Sequence, residues 1–389
     1  MTEPGDIAGT SVLITDIDRR KALPIIRSLG RAGVSVIGLS SKAPTVGGLS
    51  RHCTETIRSP DYLDEPDAFI AFLQALCAER RPDVFLPLED RVIELCLNHR
   101  DAWEPFTNAL LPPRKAMATA FDKWRTLQAA EASGVAIPDS YCPESQQEVE
   151  ALAASWVGPA VVKPRKSSGS RGIRYVDDPT SLLDVWREVS ADHPRPIIQE
   201  RISSDGAGLG VFVLIDRDGQ VVALFGHRRL REYPVSGGPS TLRLSYRDND
   251  LIDHSVRLLQ AMGFQGVAMV EFKGDPRRGV PVLMEVNPRF WGSIQLAVAA
   301  GVDFPVLYHR LAAGLPVDPV LDYDEGIYGR WLLPGDVLHF LSNPKRFRLR
   351  PSFFWLWGKN LHYDIASIRD PLPMFGILIE SLRRLGGRR

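Results

Sequence analysis

Three oxygen-bearing side chains at the ends of two apolar runs are the first sign of chemistry in this sequence. Val267-Ala268-Met269-Val270-Glu271-Phe272 and Leu283-Met284-Glu285-Val286-Asn287-Pro288-Arg289-Phe290 read as short buried strands, bounded by Gly266, Gly279 and Pro281. Each run carries an acid where an apolar residue would bury at no cost. A buried carboxylate needs a cation or hydrogen-bond donors to offset its desolvation. Glu285 and Asn287, two apart on a strand, face the same side. With Glu271 they make a small set of hard oxygen ligands, which suits Mg²⁺ that shares its shell with nucleotide phosphates. Arg289, two residues further along that face, is placed to meet a phosphate or carboxylate bidentately. The competing reading is an ordinary hairpin whose acids face water.

The elements upstream must position these groups. Phe121-Asp122-Lys123-Trp124-Arg125 opens a helix running to Ser133, with Gly134 as its stop and Pro138 beyond. Pro159 to Pro164 is a strand ending in Lys163. The loop Lys166-Ser167-Ser168-Gly169-Ser170-Arg171-Gly172 follows, then a strand from Ile173 to Val176. The tip of such a hairpin exposes backbone N–H groups and two cations and can fold over phosphates. It is not a Walker A loop, because the GxxxxGK[ST] order is absent and no helix follows. Ile197 to Ile202 reads as a strand whose edge backbone can pair with an adenine ring. Leu209 to Ile215 and Val221 to Phe225 read as two further strands.

The first hundred residues alternate strand and helix. Ser11 to Ile14, Val34 to Leu39 and Val84 to Leu88 read as strands, and Lys21 to Gly33 and Asp64 to Arg80 as helices, which argues for a small parallel sheet. The turn Thr15-Asp16-Ile17-Asp18-Arg19 has no glycine, so the backbone approach of a dinucleotide-binding turn is not available. Thr15, Asp16, Glu89, Asp90 and Arg91 lie at the carboxyl ends of strands, where ligands of such sheets bind. Asp18 and Asp90 read equally well as helix N-caps. Pro112-Pro113 marks a boundary.

The chain has 389 residues with 47 basic and 47 acidic side chains, so length implies two or three subdomains and charge gives no argument for nucleic acid. Cys53, Cys77, Cys96 and Cys142 are scattered, without a CxxC pair or a histidine at metal spacing, and read as reduced thiols. The start, Met1-Thr2-Glu3-Pro4-Gly5-Asp6, is acidic and lacks the apolar core of a signal peptide. No apolar run approaches the ~18 residues of a membrane span. The expected location is cytoplasmic.

The order of parts resembles the ATP-grasp superfamily, stand-alone carboxylate–amine ligase type, over roughly Arg114 to Leu315. A lysine on a helix precedes a lysine at a strand end, then a Gly-rich hairpin, a Gln-Glu strand and two acidic strands ending Glu-Val-Asn-Pro-Arg. The resemblance implies an α/β chain. A small parallel N-terminal domain (residues 1–113) leads into an ATP-grasp fold (114–315), two α+β subdomains that hold ATP between them, with a hinged lid at about 135–202. It implies that Lys123 and Lys163 hold phosphates and that Lys166, Ser167, Ser168, Gly169 and Gly172 belong to a mobile lid. Gln199, Glu200 and Ile202 would sit at the adenine. Glu271, Glu285 and Asn287 would bind two Mg²⁺ ions, with Mn²⁺ able to replace them, and Arg289 would stabilise the phosphoryl group in transfer. His227-Arg228-Arg229-Leu230-Arg231-Glu232 resembles the basic acceptor-site segment of biotin carboxylase, giving Arg228 and Arg229 catalytic roles, whereas its bland reading is a solvated strand end. One departure is the stretch Asp205-Gly206-Ala207-Gly208, where relatives carry a ribose-binding glutamate, so that contact is missing or falls to Asp205. The implied activity is ADP-forming ligation of a small carboxylate to an amine, in a monomer or homodimer. The alternatives are a binding-only ATP module and a carboxylase using bicarbonate.

Beyond Leu315, residues 316–389 are broken by prolines and turn basic. From Phe340 to Arg389 there are ten Lys or Arg and three Asp or Glu. Phe347, Phe353, Phe354, Trp355 and Trp357 lie among those cations. The expectation is that these aromatics pack into the core. The alternative is that residues 345–357 meet an anionic membrane or a lipid-linked acceptor.

Overall fold

The computed structural model describes residues 6–166, 172–203, 205–235 and 237–377. Strands β1 (Ser11–Ile14), β2 (Ser35–Ser40), β3 (Glu55–Arg58) and β4 (Val84–Leu86) form a parallel sheet in the order β3-β2-β1-β4. Helices α1 (Ala22–Arg31), α2 (Pro66–Arg80) and α3 (Asp90–Asn98) connect or flank it. The near-continuous apolar run of β1 is what a strand covered on both faces requires. β3 and α3 were absent from the sequence reading. Glu-Thr-Ile-Arg in β3 alternates half-buried and exposed positions and carries little apolar signal.

The helix expected from Phe121 to Ser133 is present, and a further helix, unpredicted, precedes it. α4 (Arg114–Phe121) ends at Asp122, and α5 (Lys123–Ala132) begins there, with the Asp122 carboxylate accepting from Trp124 N at 3.1 Å. A capped second helix fixes Lys123 as the first helical residue, at the positive end of the dipole.

A small antiparallel sheet follows, built of β5 (Ser140–Tyr141), β6 (Ala160–Lys163), β7 (Arg174–Val176) and β8 (Ile197–Glu200) in the order β5-β8-β6-β7, with helices α6 (Gln146–Ser155) and α7 (Leu182–Asp192). β8 is therefore paired on both sides, to Ser140–Tyr141 and to Ala160–Lys163. The free edge expected along Ile197 to Glu200 does not exist. Its backbone groups are spent on neighbouring strands.

The central sheet has seven strands in the order β13-β12-β9-β10-β11-β14-β15. These are β9 (Gly208–Ile215), β10 (Val221–Glu232), β11 (Ser240–Ser245), β12 (Gly266–Lys273), β13 (Val282–Asn287), β14 (Tyr328–Arg330) and β15 (Leu361–Tyr363), with α8 (Asn249–Ala261), α9 (Ile294–Ala299), α10 (Phe304–Ala312) and α11 (Val337–Ser342). Two expectations change here. β10 runs on to Glu232, so His227 to Glu232 is sheet and not a solvated strand end. The stretch after Leu315 adds β14 and β15 to the same sheet, so it is not a separate appendage.

One apolar cluster spans the N-terminal and central sheets, drawing Ile25, Ile26 and Leu29 of α1 together with Phe212, Trp291 and Phe304. Trp291 stacks on Phe212 at 4.1 Å between ring centroids and meets Phe304 edge-on at 5.0 Å. Aromatic packing of this kind fixes the loop after β13, and with it Arg289, against the first sheet.

The C-terminal aromatics divide. Trp355 packs edge-on against Tyr328 at 4.9 Å, but Phe347, Phe354 and Trp357 are 73%, 61% and 79% exposed. The expected core role is therefore wrong for those three. No helix among the described residues is long and apolar enough to cross a membrane.

Candidate active site

The pairing of β12 with β13 brings the acids together. Glu271 lies directly opposite Glu285, and Met269 opposite Asn287. Directly opposed residues share a face, so Glu271, Glu285 and Asn287 converge as their spacing required. The Asn287 Nδ2 donates to Glu285 Oε1 at 3.0 Å and to Glu271 Oε1 at 3.3 Å. An amide thus bridges two carboxylates where a cation would serve better, and turning it over would present its oxygen instead. The Glu271 side chain is only 17% exposed, which excludes the hairpin with acids facing water.

Charges around the pair set its titration. Burial pushes the Glu271 carboxyl up, Arg229 pulls it down and Glu285 raises it further, leaving it above the usual range. Burial works the same way on Glu285, but Lys123, the bond from Asn287, Lys163 and Arg289 outweigh it and bring it below. Two close acids held apart in this manner are poised for a divalent cation.

Arg229 reaches Glu271 from β10 across the intervening strand β9, and its guanidinium donates to Glu271 Oε2. Glycines make the passage. A Cβ at Gly208 would lie 2.9 Å from Arg229 Cδ, and one at Gly210 would lie 3.0 Å from His227 Nε2. The sequence reading took this stretch only as a departure from the ribose-binding pattern. Its glycines are room for the basic side chains of β10. Gly208→Val should therefore displace Arg229 and lower turnover by up to about a hundredfold, as small misplacements at a reacting centre do. The thermal midpoint should hardly move. Unchanged turnover would show that the Arg229–Glu271 pair is not used. Arg228 points the other way along the strand and is exposed.

His227 is buried, edge-on to Phe212, with Nδ1 3.4 Å from Ser293 Oγ. Burial, then Arg229 and Arg243, hold it well below its ordinary pKa, so it is neutral.

Lys123 lines the same cleft as Glu285 and Asn287, together with Asp90, Phe121 and Thr126. Lys163 lies at the end of β6 and donates to Gln199 Oε1 at 2.6 Å, while Gln199 Nε2 donates to Ser140 Oγ at 2.7 Å. Gln199 is thereby a holder of Lys163. Burial, aided by Lys123 and opposed by Glu285, lowers the Lys163 ammonium to about 8. A phosphate would favour its charged form, so nucleotide binding takes up a proton wherever Lys163 starts neutral. Nucleotide affinity should be full below pH 8 and fall roughly tenfold per pH unit above it. Titration of a non-hydrolysable ATP analogue against pH checks this. Lys163→Arg, which keeps its charge, should flatten the profile, and an identical slope in that variant would remove Lys163 from the phosphate site.

The loop after β6 is pinned at its base. Arg165 donates through Nε to Asp122 Oδ1 at 3.0 Å and through a second nitrogen to Oδ2, and Lys123 N donates to Arg165 O at 2.9 Å. Lys166 is exposed, and Ser167, Ser168 and Gly169 lie outside the described residues. Gly172 takes a φ of +75°, and a Cβ there would meet Pro164 at 2.7 Å. Glycine is required at that return.

Glu200 is engaged by Arg277 Nη2 at 2.8 Å and by Arg278, both from the turn between β12 and β13. Arg278 also pairs with Asp139 at 3.2 Å. These arginines were missed because nothing local in the sequence shows a contact across about 77 residues. Ile202 is buried, and Asp205 is exposed beside Ser203.

The N-terminal sheet also faces the cleft. Arg289 Nε is 2.9 Å from Asp90 Oδ1, and its Nη2 donates to Asn287 Oδ1 at 3.2 Å. Lys21 Nζ pairs with Glu89 at 2.9 Å and donates to Phe290 O at 3.2 Å. The capping reading fails for both acids: α3 begins at Asp90 with no side-chain cap, and the N-cap position of α1 is Lys21, while Asp18 accepts from Ser40 Oγ at 3.2 Å. Asp90 is instead the partner that orients Arg289.

Comparison with known proteins bears on the fold. The family described as ATP-grasp in the biosynthetic pathway with Ter operon matches residues 209–332. The acetyl-CoA carboxylase of Schizosaccharomyces pombe is 24% identical over 219 residues, which is 54% of this chain and 9% of that protein. The chain thus spans only a small part of its curated relatives. Among solved structures, the biotin carboxylase domain dimer of Hydrogenobacter thermophilus 2-oxoglutarate carboxylase, in complex with MgADP, ADP and bicarbonate, superposes with a TM-score of 0.67 at 17% identity, covering 82% of this chain and 73% of that one. The L-amino acid ligase of Bacillus licheniformis superposes with a TM-score of 0.61 at 17% identity, covering 80% and 75%.

Proposed function

We propose, for a chain whose fold is that of the ATP-grasp superfamily, that it is an Mg²⁺-dependent, ADP-forming ligase joining a small carboxylate to an amine. One observation carries the reading. Glu271, Glu285 and Asn287 converge on one face with Lys123, Lys163 and Arg289 around them. This is a donor set for a hard divalent ion beside a polyphosphate. Two carboxylates and an amide oxygen fit two Mg²⁺ ions, and Mn²⁺ fits the same oxygens. Bound Mg²⁺ would supply charge neutralisation between the nucleotide and an anionic attacking group.

The chain's own residues do the positioning. Lys123 and Lys163 hold phosphates, Lys166 adds a further cation beside them, and Arg289 meets charge that develops on the transferred phosphoryl group. Arg229 keeps Glu271 in place and borders the acceptor side. The adenosine lies along the passage from Gln199 and Glu200 to Ile202, with Asp205 at the ribose. A carboxylate oxygen attacks the terminal phosphorus and ADP leaves. The amine then attacks the acyl carbon and phosphate leaves with the original carboxylate oxygen. No side chain becomes covalently attached, so the reaction needs no nucleophilic cysteine or serine. The four cysteines are free thiols, two of them buried, in keeping with work in the cytoplasm. A homodimer is the assembly to look for, since one similar carboxylase domain forms a dimer.

The test is a product screen with ATP, Mg²⁺ and a matrix of carboxylates, bicarbonate included, against amines. ADP and a condensed product from one pair support the ligase. Turnover that depends on bicarbonate alone supports the carboxylase reading, which the similarity to biotin carboxylase favours. AMP release would overturn both.

A further inference from the structure

The geometry points to a docking surface for an anionic lipid bilayer on the stretch between α11 and β15. From Val337 to Tyr363 the chain has Lys345, Arg346, Arg348, Arg350 and Lys359, and no Asp or Glu. All five cations are exposed, and among the described residues none is in an ion pair. Between them stand the exposed side chains of Leu341, Phe347, Phe354 and Trp357. These are not scattered residues. Phe340 stacks on Phe353 at 4.3 Å and meets Phe347 and Phe354 edge-on at 5.6 and 5.7 Å, so the rings form one apolar knob, with Arg346 over Phe347 at 5.5 Å.

The backbone beneath the knob is built with unusual care for an exposed loop. Arg330 is buried and donates to Phe353 O and Trp355 O, each at 2.7 Å. Buried Arg231 donates to Pro351 O. Both guanidiniums share the buried Asp336, at 2.8 Å, which also accepts from Thr241 at 2.9 Å. Two core arginines thus spend their donors on the carbonyls of this loop and fix the backbone from which Phe354 and Trp357 stand outward. A fixed apolar knob ringed by unpaired cations matches an interface that is apolar within and anionic at its surface. A second copy of the chain would bring like charges face to face, which disfavours it as the occupant. The role is independent of what the carboxylate cluster does.

Cosedimentation of the full chain with phosphatidylcholine vesicles, with and without phosphatidylglycerol, tests this. Binding is expected only with phosphatidylglycerol and should weaken as salt rises. Each cation near such a surface contributes roughly a fivefold factor, so changing Lys345, Arg346, Arg348 and Arg350 to Gln should lower partitioning at least about a hundredfold. Phe354→Ser with Trp357→Ser should lower it as well, while turnover of soluble substrates stays unchanged. Should a variant fold poorly, amide exchange in the unaltered chain serves in its place, and residues 345–357 should slow only with the anionic vesicles. Equal binding to neutral vesicles would overturn the proposal. So would no binding at low salt, dimerisation that buries Trp357, or binding to single-stranded RNA without vesicle binding.

Discussion

Glu285→Gln should yield a folded protein that no longer turns over ATP. Glu285 is the acid held ionised by Lys123, Lys163 and Arg289, and it is the one that Asn287 bonds most closely. Replacing its carboxylate with an amide keeps the shape and removes one of the two negative charges available to a divalent ion. Loss of one preorganised electrostatic contact at a reacting centre costs about 3 kcal/mol or more, a few hundredfold in rate. The fold should survive, because the strand is held by its ladder to β12 and by the apolar residues beneath it. Circular dichroism and the thermal midpoint should match those of the unaltered chain. Glu271→Gln should be less severe, since the Glu271 carboxylate is already engaged by Arg229. Similar turnover in Glu285→Gln and the unaltered chain would place the metal elsewhere.

Asp364→Asn should instead cost stability. Asp364 is fully buried just after β15, and its two oxygens accept from Arg20 at the start of α1 and from Arg243 of β11. Arg243 is itself fully buried, and Arg20 lies over the Trp331 ring at 4.1 Å. Without the carboxylate, a fully buried guanidinium and a half-buried one lose their counter-charge. Removing one member of a buried pair costs about 3–5 kcal/mol, a large share of the 5–15 kcal/mol typical of folded domains. A fall of roughly 5–10 °C in the thermal midpoint is the expected result. A second anchor, Arg27 to Asp370 at 2.8 Å, ties α1 to the same C-terminal stretch. If Asp364→Asn melted with the unaltered chain, other groups would have to neutralise these arginines.

Much of the nucleotide side was legible because burial is costly for acids. Glu271 and Glu285 end apolar runs, and the period of two places Glu285 and Asn287 on one face without any knowledge of partners. What was not legible lies in pairing across long separations. The register that opposes Glu271 to Glu285 is set with a bulge at Glu271 and Phe272, which no local pattern announces. The arginines on Glu200, the bond of Gln199 to Lys163 and the partnership of Arg289 with Asp90 all join separate elements. β3 hid because an edge strand carries half the apolar signal of a central one. Phe347, Phe354 and Trp357 depart from the core that composition suggests, because Arg231 and Arg330 hold the loop's carbonyls and leave these three rings outside. The glycines at the start of β9 read, by sequence, as a missing ligand. They are clearance for Arg229 and His227.

In the proposed reaction a carboxylate attacks the terminal phosphate of ATP in this cleft. Heavy-oxygen labelling of the carboxylate in the pair that the product screen finds tests it most directly. One labelled oxygen is expected in the released inorganic phosphate, with ADP formed in equal amount. Label found in AMP, or phosphate carrying none, would contradict it.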